Sequence, residues 1–319
     1  MTPPLISCDN VCLSYEGLRR AVDGLSFTVE QGSIFALVGP NGAGKTSTLR
    51  MLATLTEPTS GTLHIDGIAV DRDPEAVRRR VGYLPDNFAL YDAMTPIDYL
   101  EFFARCYGVP AAARGERIDR LLEDMDLTAK RTAPIRSLSR GMRQRLGIAK
   151  TLVHDPRVLL LDEPASALDP TARLKLREVL AGLKRRGLAI VVSSHILPDL
   201  AGLADAVGIM EGGRMLQSGA IADIARTMQQ RRVTYRLEVR ANFDRATRVL
   251  DGFGPRLVAW ESGPVDGGVR LEVELEGGDE TAADLVEALV LRGARVSHVA
   301  PRESALEAVY RASAATAVA

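Results

Sequence analysis

The sequence contains few cysteines, lysines and aromatic residues, and these shortages exclude several kinds of protein. Among its 319 residues are three cysteines, one tryptophan and only five lysines, whereas arginines number 35. Cys8, Cys12 and Cys106 are too few for a disulfide framework, and the pair Cys8 and Cys12 has no second ligand pair with which to hold zinc. We therefore expect reduced thiols, as in a cytosolic protein.

Long apolar runs and an excess of charge are also missing. No stretch approaches the roughly 18 consecutive apolar residues of a membrane-spanning helix, and the N-terminus lacks the basic and apolar segments of a signal peptide. The formal net charge of −1 gives no general attraction to nucleic acid or anionic lipid. We expect a chain that does not span a membrane by itself and has no nucleic-acid partner.

Residues 1–231 have the pattern of an α/β domain. The runs "SIFALVG" and "RVLLLD" are almost continuously apolar, which is typical of strands covered on both faces of a sheet. Residues 5–38 alternate in the manner of strands, residues 62–85 look like further strands, and residues of about 87–153 become helical. The pattern predicts an α/β domain with an antiparallel β-subdomain and a helical insert.

Residues 232–319 have a different texture. Their predicted elements follow the order βαββαβ, which is the ferredoxin-like α+β pattern, and a last helix follows in "ESALEAVYRAS". The segment contains no nucleotide loop and no cluster of metal ligands. It is either a structural appendage that strengthens dimerisation or a regulatory domain.

The chemistry begins with "GPNGAGKT", which matches the phosphate-loop pattern G-x-x-x-x-G-K-[ST] between a predicted strand and a predicted helix. The glycines let successive amides face phosphate oxygens, and the helix that follows points its positive end at them. Lys45 would lie between the β- and γ-phosphates, and Thr46 would hold Mg²⁺. The alternative is a glycine turn that only caps a helix. The predicted nucleotide-binding residues of this loop are Gly39, Pro40, Asn41, Gly42, Ala43, Gly44, Lys45, Thr46 and Ser47.

Two further motifs belong with this loop. Asp162 and Glu163 end the strand "RVLLLDEP", where Asp162 can contact Mg²⁺ and Glu163 can polarise an attacking water. Alone, such a pair often caps a following helix. In "LSRGMRQR" Ser139 and Gly141 begin a helix and form a second anion-binding terminus. The phosphate loop already binds one nucleotide of this chain. A second anion-binding terminus therefore suggests contact with the γ-phosphate of a nucleotide that is held by a different subunit.

Taken together and in this order, the motifs resemble those of the ATP-binding subunit of an ABC transporter, over roughly residues 4–225. The loop looks like the Walker A motif, "RVLLLDEP" like Walker B, and His195 like the switch histidine, while Tyr15 stands where the family stacks an aromatic ring on adenine. Alternatively, Tyr15 is an edge-strand aromatic, His195 a polar cap and Asp169 a helix cap. The signature sequence comprises Leu138, Ser139, Arg140, Gly141 and Met142, and the D-loop Ser166, Ala167, Leu168 and Asp169.

Three positions depart from the family pattern. Asp86 in "GYLPDN" stands where the family usually carries glutamine, and Met142 replaces the usual signature glutamine. Both features resemble the branch that exports drugs and polyketides, in which glutamate is frequent at the first position. Ala167 replaces the common D-loop glycine. Aspartate is one methylene shorter than glutamate, which reduces the reach of its carboxylate. Asp86 would therefore bind Mg²⁺ either directly or through a bridging water.

The resemblance implies a homodimer that holds two Mg-ATP between the Walker A loop of one subunit and the signature helix of the other. Glu163 and His195 would be catalytic, and Thr46, Asp162 and Asp86 would bind Mg²⁺. A separately encoded integral membrane permease would hold the chain at the cytoplasmic face of the cell membrane and export drugs, lipids or polysaccharides. The competing functions are an ABC-type ATPase that acts on nucleic acid or the ribosome, and a soluble P-loop kinase.

Overall fold

The computed structural model describes residues 3–15, 20–195, 202–221, 232–240, 243–254, 257–265, 268–276 and 278–302. The chain divides into two compact units, residues 1–219 and residues 220–319. This division lies earlier in the chain than the domain boundary expected near residue 231, a position that is outside the described residues.

An antiparallel sheet forms one layer of the first unit. Its strands are β1 (Ile6–Ser14), β2 (Arg20–Val29), β4 (Ser60–Ile65) and β5 (Ile68–Ala69), in the order β2-β1-β4-β5. Leu25, Phe27 and Val29 of β2 are buried while the residues between them are exposed. This alternation was the expected pattern for a sheet with one face on the core.

The second layer is a sheet with a parallel centre. It contains β3 (Ile34–Val38), β6 (Val81–Leu84), β7 (Val158–Leu161), β8 (Ala189–Ser194), β9 (Ala206–Glu211) and β10 (Arg214–Ala220), in the order β10-β9-β3-β8-β7-β6. Every residue of β3, β7 and β8 is buried, as the apolar runs predict. Because β3, β8 and β7 are parallel neighbours, their carboxyl ends meet at one edge of the sheet.

Within the described part of the first unit, six α-helices follow strands or form the predicted insert. They are α1 (Lys45–Leu52), α2 (Pro74–Arg78), α3 (Pro96–Cys106), α4 (Ala111–Asp124), α5 (Arg140–Thr151) and α6 (Pro170–Arg185). Thr95 caps α3 and Asp169 caps α6, each by accepting a bond from an amide of the first turn. Gly187 follows α6 in the left-handed region, with φ of 90°, which is the conformation of a glycine that ends a helix.

Two stacked phenylalanine rings lie in the hydrophobic core between the two sheets of this unit. The rings of Phe27 in β2 and Phe35 in β3 lie 4.7 Å apart at an angle of 17°, and both are buried in one cluster with Leu49 of α1. Burying a side chain of this size contributes about 2 kcal/mol. The packing fixes the phosphate-loop helix against both sheets.

The second unit has the predicted βαββαβ order. Its elements are β11 (Arg232–Val239), α7 (Phe243–Gly252), β12 (Leu257–Val265), β13 (Gly268–Glu276), α8 (Gly278–Leu291) and β14 (Val296–Pro301), and the antiparallel sheet order is β12-β13-β11-β14. Tyr235, Leu237 and Leu285 are buried in its core, and Trp260 packs against that core as a partly buried residue. The predicted last helix lies outside the described residues. Among those described, no helix is both long and apolar enough to cross a bilayer.

One partly buried histidine, His154, joins the helical insert to the parallel sheet. The Nε2 atom of His154 lies 3.0 Å from the carbonyl oxygen of Val81, so this nitrogen carries the proton and donates. Its ring stacks on Tyr107 at 4.1 Å, and Nδ1 is buried without a hydrogen-bond partner among the described residues. Burial lowers the pKa of His154 below its usual range, and Arg117 acts in the same direction against the Val81 carbonyl and Asp155.

We expect the free energy of unfolding to fall as the pH drops below about 6.5, the pKa of an unperturbed histidine. The pKa of His154 is lower in the folded chain than in the unfolded chain, so protonation of His154 favours unfolding. The neutral ring therefore makes its full contribution to the free energy of unfolding only above the unfolded pKa. His154→Gln keeps a donor for Val81 and removes the titration. Relative to the wild type, its unfolding free energy should rise on acidification, by at most about 1.4 kcal/mol per pH unit.

Urea unfolding followed by circular dichroism between pH 7.5 and 5.5 measures this difference. A His154→Gln difference that stays constant across this pH range would contradict the assignment.

Candidate functional site

A cleft of about 350 Å³ lies at the edge where β3 and β7 end. Its lining consists mostly of residues predicted to bind nucleotide, together with the predicted metal ligand Asp86 and the predicted base Glu163. The full lining is Ala21, Asn41, Gly42, Ala43, Gly44, Lys45, Thr46, Ser47, Asp86 and Glu163. Ala21 of β2 is the member that motif reading missed, because a single alanine in a strand carries no chemical signal.

The loop has a backbone that only glycine allows at its tightest points. Gly44 has φ of 100°, and a Cβ atom there would lie 2.5 Å from the carbonyl oxygen of Ala21. A Cβ on Gly39 would lie 2.2 Å from the carbonyl oxygen of Met210. The loop is therefore held against β2 and β9, and α1 begins directly after Gly44, which has no side chain to cap its amides. Those amides can bind an anion.

Lys45 is folded back onto its own loop. Its Nζ atom donates to the carbonyl oxygens of Gly39 at 2.7 Å and Pro40 at 3.2 Å, and lies 3.3 Å from Oε1 of Glu163. Only 5% of the residue is exposed. A buried ammonium group needs such partners, and they place its charge beside the loop amides.

The acidic pair sits at the end of β7, and β8 supports it. Asp162 is almost fully buried, and its Oδ1 accepts a 2.6 Å hydrogen bond from the hydroxyl of Ser193. Glu163 has φ of 49°, in the left-handed region that is unusual for glutamate. Its Oε2 lies 2.8 Å from Nδ1 of His195. The structure thus joins Lys45, Glu163 and His195 in one chain of contacts.

Asp86 contributes a further negative charge to the cleft. Burial, followed by the nearby charges of Asp162 and Glu163, raises the pKa of Asp86, and His195 acts in the opposite direction. Carboxylate and hydroxyl oxygens are the ligands that Mg²⁺ prefers. Asp86, Asp162 and Thr46 are such a set, and a cation would relieve the repulsion between the carboxylates. The donor set therefore fits Mg²⁺.

Tyr15 lies beside the far end of the loop. Its hydroxyl is 3.3 Å from the hydroxyl of Ser47, and 37% of the residue is exposed. The hydroxyl thus contacts a residue of the cleft lining, while stacking of the ring on adenine stays a prediction.

The signature residues are placed apart from the cleft and do not line it. Ser139 caps α5 by accepting a bond from the amide of Met142 at 3.3 Å, as predicted. Arg140 donates to the carbonyl oxygen of Ala167 at 2.9 Å, and a Cβ atom on Gly141 would lie 2.7 Å from that of Ala172. The signature segment therefore packs on the D-loop and the first turn of α6.

The D-loop itself is tied to the acidic pair. The amide of Ser166 donates to the carbonyl oxygen of Glu163 at 3.0 Å. Ala167 has φ of 56°, a conformation that explains why glycine is favoured at this place. Leu168 and Leu138 are buried anchors for the two segments. Asp169 accepts a bond from the amide of Ala172 at 2.9 Å, so its role as a helix cap is real.

Comparison with known proteins identifies this arrangement. A family profile described as ABC transporter matches residues 22–166. The Nod factor export ATP-binding protein I of Ralstonia nicotianae is 42% identical over 213 residues, which are 65% of this chain and 66% of that protein. The ABC transporter ATP-binding protein NatA of Bacillus subtilis is 35% identical over 232 residues, which are 72% of this chain and 94% of NatA.

A solved structure agrees with these relatives. The ATP-binding subunit of an ABC transporter superposes with a TM-score of 0.63 at 30% identity, over 70% of this chain and 93% of that one. The expected fold is thus confirmed. The chain belongs to the ABC transporter family, as an ATP-binding subunit whose ATPase activity is coupled to transport.

Proposed function

We propose that two copies of this chain close around two ATP molecules, each held by the loop of one copy and the signature helix of the other. The observation that carries the proposal is the position of Ser139 and Gly141. They present a helix N-terminus that lies outside the cleft of their own chain, and such a terminus suits a phosphate. A second copy supplies that phosphate.

Within one copy, the residues of the cleft have different roles in ATP hydrolysis. The amides of the loop and the Lys45 ammonium group hold the β- and γ-phosphates, which exchanges the contacts of Lys45 with Gly39 and Glu163 for contacts with ATP. Glu163 then orients the attacking water and accepts its proton, and His195 contacts the γ-phosphate. Phosphoryl transfer requires mainly such positioning and charge neutralisation.

Mg²⁺ would be held by Thr46 and Asp162, with Asp86 as a direct ligand or one bridged by water. When bound, it neutralises charge on the β- and γ-phosphates. Asp162 is held by the Ser193 hydroxyl at the buried end of β7, next to Glu163 of the cleft. Asp86 stands on the loop that follows β6, where it can report the state of the site to the helical insert.

The transport partner in this proposal is a separate integral membrane permease that docks on the helical insert. An aromatic patch on this insert supports the assignment: Tyr91 and Phe102 are 53% and 43% exposed. The ring of Tyr91 packs edge-on against Phe102 at 6.1 Å and Tyr99 at 6.0 Å. Exposed aromatic clusters of this kind mark protein interfaces.

Export from the cytoplasmic face of the cell membrane is the direction we propose. Asp86 and Met142 resemble the exporter branch, and the Ralstonia relative is named for Nod factor export. The cargo would be a drug, lipid or polysaccharide selected by the permease. The net charge of −1 does not favour the competing action on nucleic acid.

Glu163→Gln should bind ATP and lower its hydrolysis by about 100-fold or more, since it removes the general base. The closed dimer should accumulate, because its ATP is not consumed. Light scattering after size exclusion, with and without Mg-ATP, measures the dimer, and phosphate release measures turnover. Lys45→Ala is the control that loses nucleotide affinity. A monomer at saturating Mg-ATP would contradict the sandwich, and near-normal turnover would remove Glu163 from its role.

Asp86→Asn should keep only residual ATP hydrolysis, because it loses a proposed Mg²⁺ ligand, and should impair the coupling of that hydrolysis to transport when the permease is present. The amide keeps the shape of the side chain and removes a charge that faces Asp162 and Glu163. The coupling ratio is the rate of transport into inverted membrane vesicles divided by the rate of ATP hydrolysis in the same vesicles. Asp92→Asn, an exposed change in the same loop that breaks the ion pair with Arg143, is the matched control. Full transport by Asp86→Asn would show that its carboxylate is incidental.

The double change Tyr91→Ser and Phe102→Ser should prevent co-purification with the permease while the isolated subunit keeps its ATPase rate. Docking would lose two exposed rings, whereas the cleft is untouched. Affinity purification from detergent-solubilised membranes measures the complex. Leu55→Ser, at a residue that is 57% exposed outside the insert, should co-purify as the wild type does. Equal loss in both variants would contradict docking at this patch.

A further inference from the structure

Ser193 stands in an environment that does not favour a polar group. It belongs to β8, in which all six residues are buried, and none of its own surface is exposed. A buried hydroxyl without partners costs free energy, so such groups are normally fully hydrogen-bonded. Its partners therefore show what the residue does.

Both partners belong to the acidic pair at the end of β7. The Ser193 hydroxyl donates to Oδ1 of Asp162 at 2.6 Å and accepts from the backbone amide of Glu163 at 2.9 Å. A serine hydroxyl has a single proton, and here that proton goes to Asp162. Bonds of this length to a carboxylate are among the stronger ones in proteins.

Parallel pairing brings these groups to the same level of the sheet. Leu161 of β7 is in register with Val192 of β8, so Asp162 and Ser193 each come one residue later. The first bond occupies one oxygen of Asp162 and leaves Oδ2 for another ligand. The second bond holds the amide of Glu163, the residue whose φ of 49° turns the chain out of the strand.

We propose that Ser193 is a positioning residue for ATP hydrolysis, which orients Asp162 through its side chain and Glu163 through its backbone. This inference rests on the proposed roles of Asp162 in holding Mg²⁺ and of Glu163 in activating water. Ser193 touches neither nucleotide nor water. A single hydroxyl on the neighbouring strand thus sets the direction of both carboxylates.

The turn at Glu163 gives the second bond its importance. Glutamate in the left-handed region is strained and persists only when its surroundings hold it there. In that conformation its carboxylate reaches Lys45 at 3.3 Å and His195 at 2.8 Å. Without the Ser193 hydroxyl, the Glu163 amide loses its acceptor and the turn loses a restraint.

The test compares Ser193→Ala with Val192→Ala, a change at a neighbouring residue of the same strand that is also buried. Mn²⁺ binding in the presence of a non-hydrolysable ATP analogue is followed by electron paramagnetic resonance. For Ser193→Ala we expect affinity for Mn²⁺ to fall about tenfold or more, the effect of losing one hydrogen bond to a charged group. We expect kcat to fall by a similar factor, while metal-free ATP binding stays unchanged.

Val192→Ala should lower the melting temperature and leave the Mn²⁺ affinity as in the wild type, and Ser193→Thr should restore most of that affinity. Wild-type Mn²⁺ affinity and kcat in Ser193→Ala would overturn the inference. An equal loss of affinity in Val192→Ala would also overturn it, because the effect would then come from strand packing. Asp162→Asn separates the two proposals: if it binds Mn²⁺ as the wild type does, the proposed metal site itself is wrong.

Discussion

The parallel pairing of β3, β8 and β7 is the constraint on which the site depends. Each of these strands is buried along its whole length, so a shift by one residue would exchange the side chains packed on its two faces and disrupt the packing on both. Their carboxyl ends therefore stop at one edge. That edge carries the phosphate loop after β3, the acidic pair after β7, and Ser193 with His195 at the end of β8.

Close backbone packing converts this edge into a cleft with a defined shape. Gly39 and Gly44 approach the carbonyl oxygens of Met210 and Ala21 so closely that a side chain would collide with them. Lys45 is then held against its own loop and Glu163, and Glu163 against His195. Lys45 and Glu163 thus lie side by side in the cleft where we propose that ATP binds, and phosphoryl transfer depends on such positioning and on neutralisation of phosphate charge.

The sequence predicted much of this site, because its motifs are local. The caps Ser139 and Asp169 each depend on a few neighbouring residues, and the structure confirms both. The loop likewise follows a strand and opens a helix, as its local pattern predicts. Ser193 was missed for the opposite reason: its partners are 30 and 31 residues away along the chain. Only strand register brings them together. The packing of Arg140 on the D-loop and of Ala21 on the cleft is non-local in the same way.

The sequence by itself determined the class of fold, the phosphate loop and the identities of the acidic and signature residues, since these follow from apolar periodicity and short motifs. Only the tertiary structure decided which groups touch. It paired Lys45 with Glu163, gave Glu163 its left-handed turn, and separated the signature residues from the cleft of their own chain. These contacts join segments far apart along the chain, and their geometry is set by sheet register and core packing, which no local pattern encodes.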